Sequence, residues 1–228
     1  MSYSSIDLIK RISKKINYYL NPKALDLTGD REIEWAFVAG HIPDKAGIAL
    51  DFGCGDMPVG LVAALKGYDV YGIDLTQVHW SFNNPSIKFI QGDLNSYNFE
   101  NQKFDVILNC STIEHVGLPG RYGSVSESDG DLSAMQRLLT LLKPGGRLLM
   151  TIPVGQDQVC VPYHRIYGIE RLHRLLEGSK NLLEEYWIKR PGNNIWVQAE
   201  RDEALAIKGG PTFYGLGLFV LAHEHPTA

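Results

Sequence analysis

The residues of this chain whose types and spacing could do chemistry begin at Ala49-Leu50-Asp51-Phe52-Gly53-Cys54-Gly55-Asp56-Met57-Pro58. An apolar run meets an aspartate, then two glycines, then a proline that can start a helix. Glycine lets the backbone turn sharply and approach a ligand with no Cβ between them, and the amides at the following helix start favour a carboxylate. The pattern can build a small-molecule cradle. An ordinary strand-to-helix turn would use the same residue types, so further signals have to separate the two.

The next signal is Asp74, which closes the apolar run Tyr71-Gly72-Ile73-Asp74. A carboxylate at the end of a second strand can accept both hydroxyls of a ribose. NAD-binding chains use the same device, but they need a G-x-G-x-x-G turn. Here Pro58 stands at the third glycine's place, and Gly60 comes two residues too late. Asp74 alone does not choose between cofactors.

Three further stretches do. Phe89-Ile90-Gln91-Gly92-Asp93-Leu94, Phe104-Asp105-Val106-Ile107-Leu108-Asn109 running into Cys110-Ser111-Thr112-Ile113-Glu114-His115, and Leu142-Lys143-Pro144-Gly145-Gly146-Arg147-Leu148 follow in that order. With the first motif, these make the chain resemble the class I S-adenosylmethionine (SAM) dependent methyltransferases over about residues 48–153. The resemblance implies SAM as cofactor, held by Asp51, Gly53, Cys54, Gly55, Asp74, Leu75, Asp93, Leu94 and Asn109. Asp93 would accept from the adenine amino group and the Leu94 amide would meet the ring. The family often carries a third glycine in its first loop, where this chain has Asp56 and Met57, which bears on the shape of the methionine pocket. The stretches 111–117, 120–123 and 161–168 are similar to a methyltransferase group that accompanies surface-polysaccharide or natural-product pathways.

In that family acceptors sit beyond the fourth and fifth strands, where this chain places Glu114, His115, Tyr163, His164 and Arg165. A histidine there could take the proton of an acceptor hydroxyl, and Arg165 could pair with an acceptor carboxylate or phosphate. The plainer readings are a hydrogen-bonded loop histidine and a solvated arginine. Glu114 and His115 could line the SAM methionine, act on the acceptor, or only start a helix; as helix neighbours they diverge, so a shared metal would need a further ligand such as Asp157 or His164, and no metal is expected. Trp80, six positions after Asp74, is the tryptophan placed to touch adenine. The segment from Gly117 to Asp129 reads as a substrate loop.

The elements that must position these residues follow from hydrophobic spacing. Ile6, Ile9, Ile12 and Ile16 predict an N-terminal amphipathic helix, and a second, capped by Asp30, carries Ile33, Phe37 and Val38. Apolar runs at 48–52, 70–74, 87–90, 106–109 and 148–152 predict parallel strands. Between the last two, Leu132, Met135, Leu138, Leu139 and Leu142 form a helical stripe with Asp131 as cap, and Pro144-Gly145-Gly146 stops it. A helix through Ile169, Leu172, Leu175 and Leu176 precedes strands at 185–189 and 216–221. The resemblance implies an α/β, Rossmann-like, seven-stranded mostly parallel sheet in the order 3-2-1-4-5-7-6, last strand antiparallel, with helices on both faces. Residues 1–228 read as one domain: N-terminal helices (1–46), SAM-binding core (47–153), and acceptor-side loop with C-terminal strands (154–228).

Composition narrows the partners. The chain has 228 residues, 44% of them hydrophobic, enough for one sizeable core. Twenty-two basic against 26 acidic residues give a net charge of -4, which supplies no footprint for a phosphate backbone, so no nucleic acid is expected. Cys54, Cys110 and Cys160 lack zinc or disulfide spacing, and neither a signal peptide nor a membrane span of about 20 apolar residues is visible. The expectation is a cytoplasmic enzyme that methylates a small molecule, favouring a hydroxyl of a sugar or natural-product intermediate. The alternatives are an NAD-dependent oxidoreductase and a SAM-fold binding subunit without catalysis.

Overall fold

Strands apolar at every position need cover on both faces, and the alternation of side chains shows where that cover lies. In the computed structural model the described residues are 29–56, 59–120, 126–190 and 195–224. The helix predicted through Ile6 to Ile16, and Pro58, lie outside them. Strands β1 (Gly47–Phe52), β2 (Tyr68–Asp74), β3 (Ile87–Gln91), β4 (Phe104–Cys110) and β5 (Leu142–Val154) form the parallel part of the sheet. Leu50, Ile107, Leu148 and Met150 point to one side, where helices α3 (Gly130–Leu141) and α4 (Ile169–Leu175) bury Met135, Leu138, Leu139, Leu172 and Leu175. Ala49, Val106, Leu108 and Leu149 point to the other, against α1 (Arg31–His41) and α2 (Gly60–Leu65). Each fully buried Leu or Ile contributes about 1.5–3 kcal/mol of hydrophobic stabilisation, so the two cores fix the sheet between its helices.

β8 (Ser179–Lys189), β9 (Trp196–Ala199) and β10 (Gly215–His223) complete an eight-stranded sheet in the order β3-β2-β1-β4-β5-β10-β8-β9. β10 runs antiparallel to both β5 and β8. The first seven positions are the expected 3-2-1-4-5-7-6. The eighth strand, β9, corrects the strand count: it is four residues long and too short to show a period. A helix α5 (Arg201–Leu205) and a hairpin of β6 (Gln158–Cys160) with β7 (His164–Ile166) are likewise absent from the sequence reading.

Two capping expectations are corrected. Asp30 sits at the start of α1, but its carboxylate accepts from the Tyr214 hydroxyl at 2.8 Å and caps nothing. Asp131 lies inside α3 and is fully buried, accepting from the Tyr167 hydroxyl at 3.0 Å and from Arg171 Nε at 2.9 Å. The end of α3 is also corrected: the helix stops at Leu141, and Leu142 and Pro144-Gly145-Gly146, expected as its last turn and its stop, already belong to β5. Among the described residues no helix is long and apolar enough to cross a membrane.

Candidate functional site

The carboxyl ends of β1, β2 and β4 open onto a cavity of about 700 Å³, a size suited to a cofactor with a second small molecule. Gly53 and Gly55 carry the chain off β1 with φ of +69° and +53°, which side chains disfavour. The two differ in surroundings. A Cβ on Gly55 would meet nothing within 4 Å, whereas one on Gly53 would run into the Thr112 side chain. Both glycines line the cavity, but the Cβ position of Gly53 is filled by Thr112 while that of Gly55 is open.

Asp51 is buried at the root of this loop, and its Oδ2 accepts the Gly60 amide at 2.7 Å. The amide that the sequence offered to a ligand carboxylate is satisfied from within. Burial pushes the Asp51 carboxyl up to about 7, against the pull of that amide. Asp74 holds the loop from the side: Oδ2 accepts the Gly55 amide at 3.1 Å and Oδ1 accepts Thr76 N and Oγ1, both at 2.9 Å. Asp93 Oδ1 accepts the Asn95 amide at 2.8 Å and closes a turn that presents Asp93 and Leu94 to the cavity. Cys54 and the half-exposed Leu75 also line it.

Two expectations change here. Asn109 is fully buried and is not on the wall; its Oδ1 accepts the Ile113 amide at 3.1 Å and so fixes the turn after β4. Trp80 is not on the wall either. Its indole donates to the Gly55 carbonyl at 2.8 Å and stacks on Phe82, with centroids 5.4 Å apart. It braces the loop from behind.

Past the cradle the cavity continues along Ser111, Thr112 and His115 to α1, where Arg31, Glu32 and Trp35 enter the wall. Of the five acceptor-side residues expected from sequence, only His115 lines it. Its Nδ1 lies 2.5 Å from the Tyr163 carbonyl oxygen and its Nε2 3.6 Å from Glu114 Oε1. Glu114 is buried beneath, its carboxyl pushed up to about 8 by desolvation. Tyr163 is exposed and contributes its carbonyl. His164 is buried, its ring centroid 6.5 Å from that of His115 and 5.1 Å from that of Tyr214, behind the wall. Arg165 is a correction: it is 1% exposed, donates to the carbonyls of Glu114, Val116, Glu127 and Ser128, and lies 3.5 Å from Asp131. It binds loops together, with no edge left for an acceptor anion.

Sequence reasoning missed Glu34, Ser111 and Thr151. Glu34 is fully buried; its Oε1 accepts from the hydroxyls of Ser111 and Thr151 and its Oε2 from Arg31 Nη1 at 3.1 Å. Burial raises this carboxyl, and Arg31 and the two hydroxyls oppose the rise. A signal was available: Glu34 stands on the same helical face as Phe37 and Val38, where a charge needs partners. Ser111, at φ +48°, gave none. Among the described residues no three His, Cys, Asp or Glu side chains are grouped to hold a metal, and Asp157 is engaged by the Gly168, Glu170 and Arg171 amides at the start of α4.

The fold is shared with known structures at low identity. The 1,6-didemethyltoxoflavin-N1-methyltransferase of Burkholderia thailandensis, solved with 1,6-didemethyltoxoflavin and S-adenosylhomocysteine, is 14% identical over 98% of this chain and 92% of that one, with a TM-score of 0.56. The N-methyltransferase NodS of Bradyrhizobium japonicum WM9, solved with S-adenosylhomocysteine, is 13% identical over 86% and 88%, TM-score 0.54. The [4+2]-cyclase SpnF is 21% identical over 68% of this chain and 58% of that one, TM-score 0.51. At such identities the likeness shows the fold, the Rossmann-like class I SAM-dependent methyltransferase fold, and the cyclase illustrates that fold alone does not fix the chemistry. No curated protein matches the chain. A family model described as "Caenorhabditis protein of unknown function, DUF268" matches residues 80–200, over half of the chain, and the chain belongs to that family.

Proposed function

We propose that this chain binds SAM and transfers its methyl group to a small molecule, at a hydroxyl of a sugar or natural-product intermediate. The observation that carries the reading is one continuous cavity: Gly55, Asp74, Asp93 and Leu94 stand at one end, and Ser111 and His115 at the other. The donors and acceptors fit the cofactor. Gly55 leaves open the space that a Cβ would fill, and Asp74 and Asp93 stand on the cavity wall. SAM, when bound, supplies a methyl group already activated on a sulfonium.

The protein's own task is then alignment, exclusion of water and removal of one proton. Asp74 would accept the ribose hydroxyls while keeping the Gly55 loop in place. His115 is the wall residue suited to the proton. With Nδ1–H donated to the Tyr163 carbonyl, the neutral ring carries its lone pair on Nε2, which can accept from a hydroxyl. Neither nucleic acid nor membrane enters this reading.

Calorimetry with SAM and with NAD on the same protein tests the cofactor, and release of S-adenosylhomocysteine in the presence of candidate acceptors tests the reaction. SAM binding with NAD ignored is expected. NAD binding with SAM ignored overturns the reading in favour of an oxidoreductase, and tight SAM binding without turnover favours a binding subunit.

A further inference from the structure

Ser111 stands on the cavity wall between the cradle and His115, and its hydroxyl has a single hydrogen. That hydrogen goes to Glu34 Oε1. The neighbouring hydroxyl, Thr151 Oγ1, donates to the same oxygen at 2.8 Å and so has no hydrogen for Ser111, from which it lies 3.5 Å away. Arg31 Nη1 donates to Glu34 Oε2 at 3.1 Å. Three donors converging on one buried side chain is the arrangement of a carboxylate, which only accepts. The backbone holds the serine in the same pose. The Ser111 amide donates to both the carbonyl and the hydroxyl of Thr151 at 3.1 Å, with φ at +48°.

We infer that Ser111 Oγ is a specificity point that offers only lone pairs to the cavity, so that the acceptor must present an O–H or N–H hydrogen there, with Glu34 as the positioning residue that enforces this. The inference deepens the methyltransferase reading and rests on it: the class selected is the unmethylated alcohol or amine, over an ether, a carbonyl or a fully substituted amine. A group lacking the hydrogen would face the serine lone pairs with its own. An alcohol has one hydrogen for both contacts, so it rests on Ser111 Oγ before transfer and passes to His115 Nε2 as the methyl group arrives; the methylated product, having lost it, leaves more readily. Buried polar sites reject ligands that leave their groups unpaired, which is the physical basis of such selection.

The test uses the full chain filled with S-adenosylhomocysteine and paired probes observed by ligand NMR: phenol with anisole, and aniline with N,N-dimethylaniline. The hydrogen-bearing member of each pair is expected to bind about tenfold more tightly than its methylated partner. Ser111→Gly removes the hydroxyl and relieves the left-handed backbone, so it should fold, and in it the preference should shrink to about threefold or less. Glu34→Gln, whose amide must turn N–H toward either the hydroxyls or Arg31, should weaken the preference while Ser111 is still present. Equal preference in wild type and Ser111→Gly overturns the inference, and so does absence of binding by either hydrogen-bearing probe up to about 10 mM. The titration of S-adenosylhomocysteine itself separates the two levels. If it does not bind, the methyltransferase reading fails; if it binds and the probes are not discriminated, only this inference does.

Discussion

Nδ1 of His115 lies 2.5 Å from the carbonyl oxygen of Tyr163. One residue sits on the turn after β4 and the other at the tip of the β6–β7 hairpin, so the contact spans two loops that the sequence separates widely. A backbone carbonyl can only accept, so it fixes the neutral imidazole with its hydrogen on Nδ1. The hairpin thus acts through the backbone of Tyr163, while the Tyr163 side chain stays exposed.

The cofactor end gives the first test. Asp74→Ala removes the carboxylate proposed to meet the ribose and also the acceptor for the Gly55 amide. SAM affinity should fall by roughly 1.5–3 kcal/mol, the scale of hydrogen bonds to a charged group, with the fold retained. Calorimetry on the variant, with a thermal melt as control, reads both. An unchanged affinity would leave Asp74 as a loop brace only.

The two glycines should separate. In Gly53→Val the new side chain meets Thr112 as well as an unfavourable φ, so both melting temperature and SAM affinity should drop. Gly55→Val places its bulk in open cavity, so the fold should lose only about 1–2 kcal/mol of backbone strain while SAM binding is blocked. If Gly55→Val binds SAM as wild type does, the cradle has been assigned to the wrong loop.

The cradle was legible because it is local: Asp51, Gly53 and Gly55 lie on one turn, and strand runs such as 48–52 and 106–109 announce themselves by composition. The acceptor end was not, because it is assembled across long separations. Glu34 meets Ser111 and Thr151 only after α1 docks against β4 and β5, and no period in the sequence records such a meeting. Arg165 misled for the same reason. An arginine next to a histidine after the fifth strand looks available to a ligand until its guanidinium is seen bound to the carbonyls of two loops.

That arrangement makes Arg165 a stability residue. Arg165→Met leaves the Val116 carbonyl without its donor, the Glu127 carbonyl with the Gly130 amide alone, and the buried Asp131 with Arg171 as its remaining cation. Breaking one arm of a buried ion pair costs about 3–5 kcal/mol, so the midpoint in denaturant should fall sharply. A variant of wild-type stability with weakened acceptor binding would restore Arg165 to the acceptor site.

Glu114 should make stability depend on pH. Its carboxyl rises from an ordinary 4.5 to about 8 through burial, with Glu34 and Asp30 adding to the rise and Arg31 opposing it. The folded protein therefore keeps a proton that the unfolded chain releases. Stability from this group is full below about 4.5, declines as pH rises, and is lost by about 8. Glu114→Gln has no proton to lose, so its melting temperature should gain on wild type across that window and hold a constant lead above it. Asp51, shifted the same way, contributes to both proteins and cancels. Parallel pH profiles would show that Glu114 ionises normally.

The decisive variant concerns the base. His115 is on the cavity wall with its tautomer fixed, whereas His164 lies behind it, 6.5 Å away between ring centroids. A group that takes a proton must reach the acceptor, so geometry ranks His115 first. With an acceptor in hand, His115→Ala should retain SAM affinity near wild type and lower turnover by about 10²- to 10⁴-fold. The wild-type rate should rise with pH as the imidazole gives up its second proton, and the variant should lose that limb, since only the neutral ring can accept. His164→Ala should act mainly through stability, because it opens a void between His115 and Tyr214. The comparison is read from turnover normalised to folded protein. If His164→Ala loses turnover and its pH limb while His115→Ala keeps both, the proton leaves through His164, and the wall must open during the reaction to admit it.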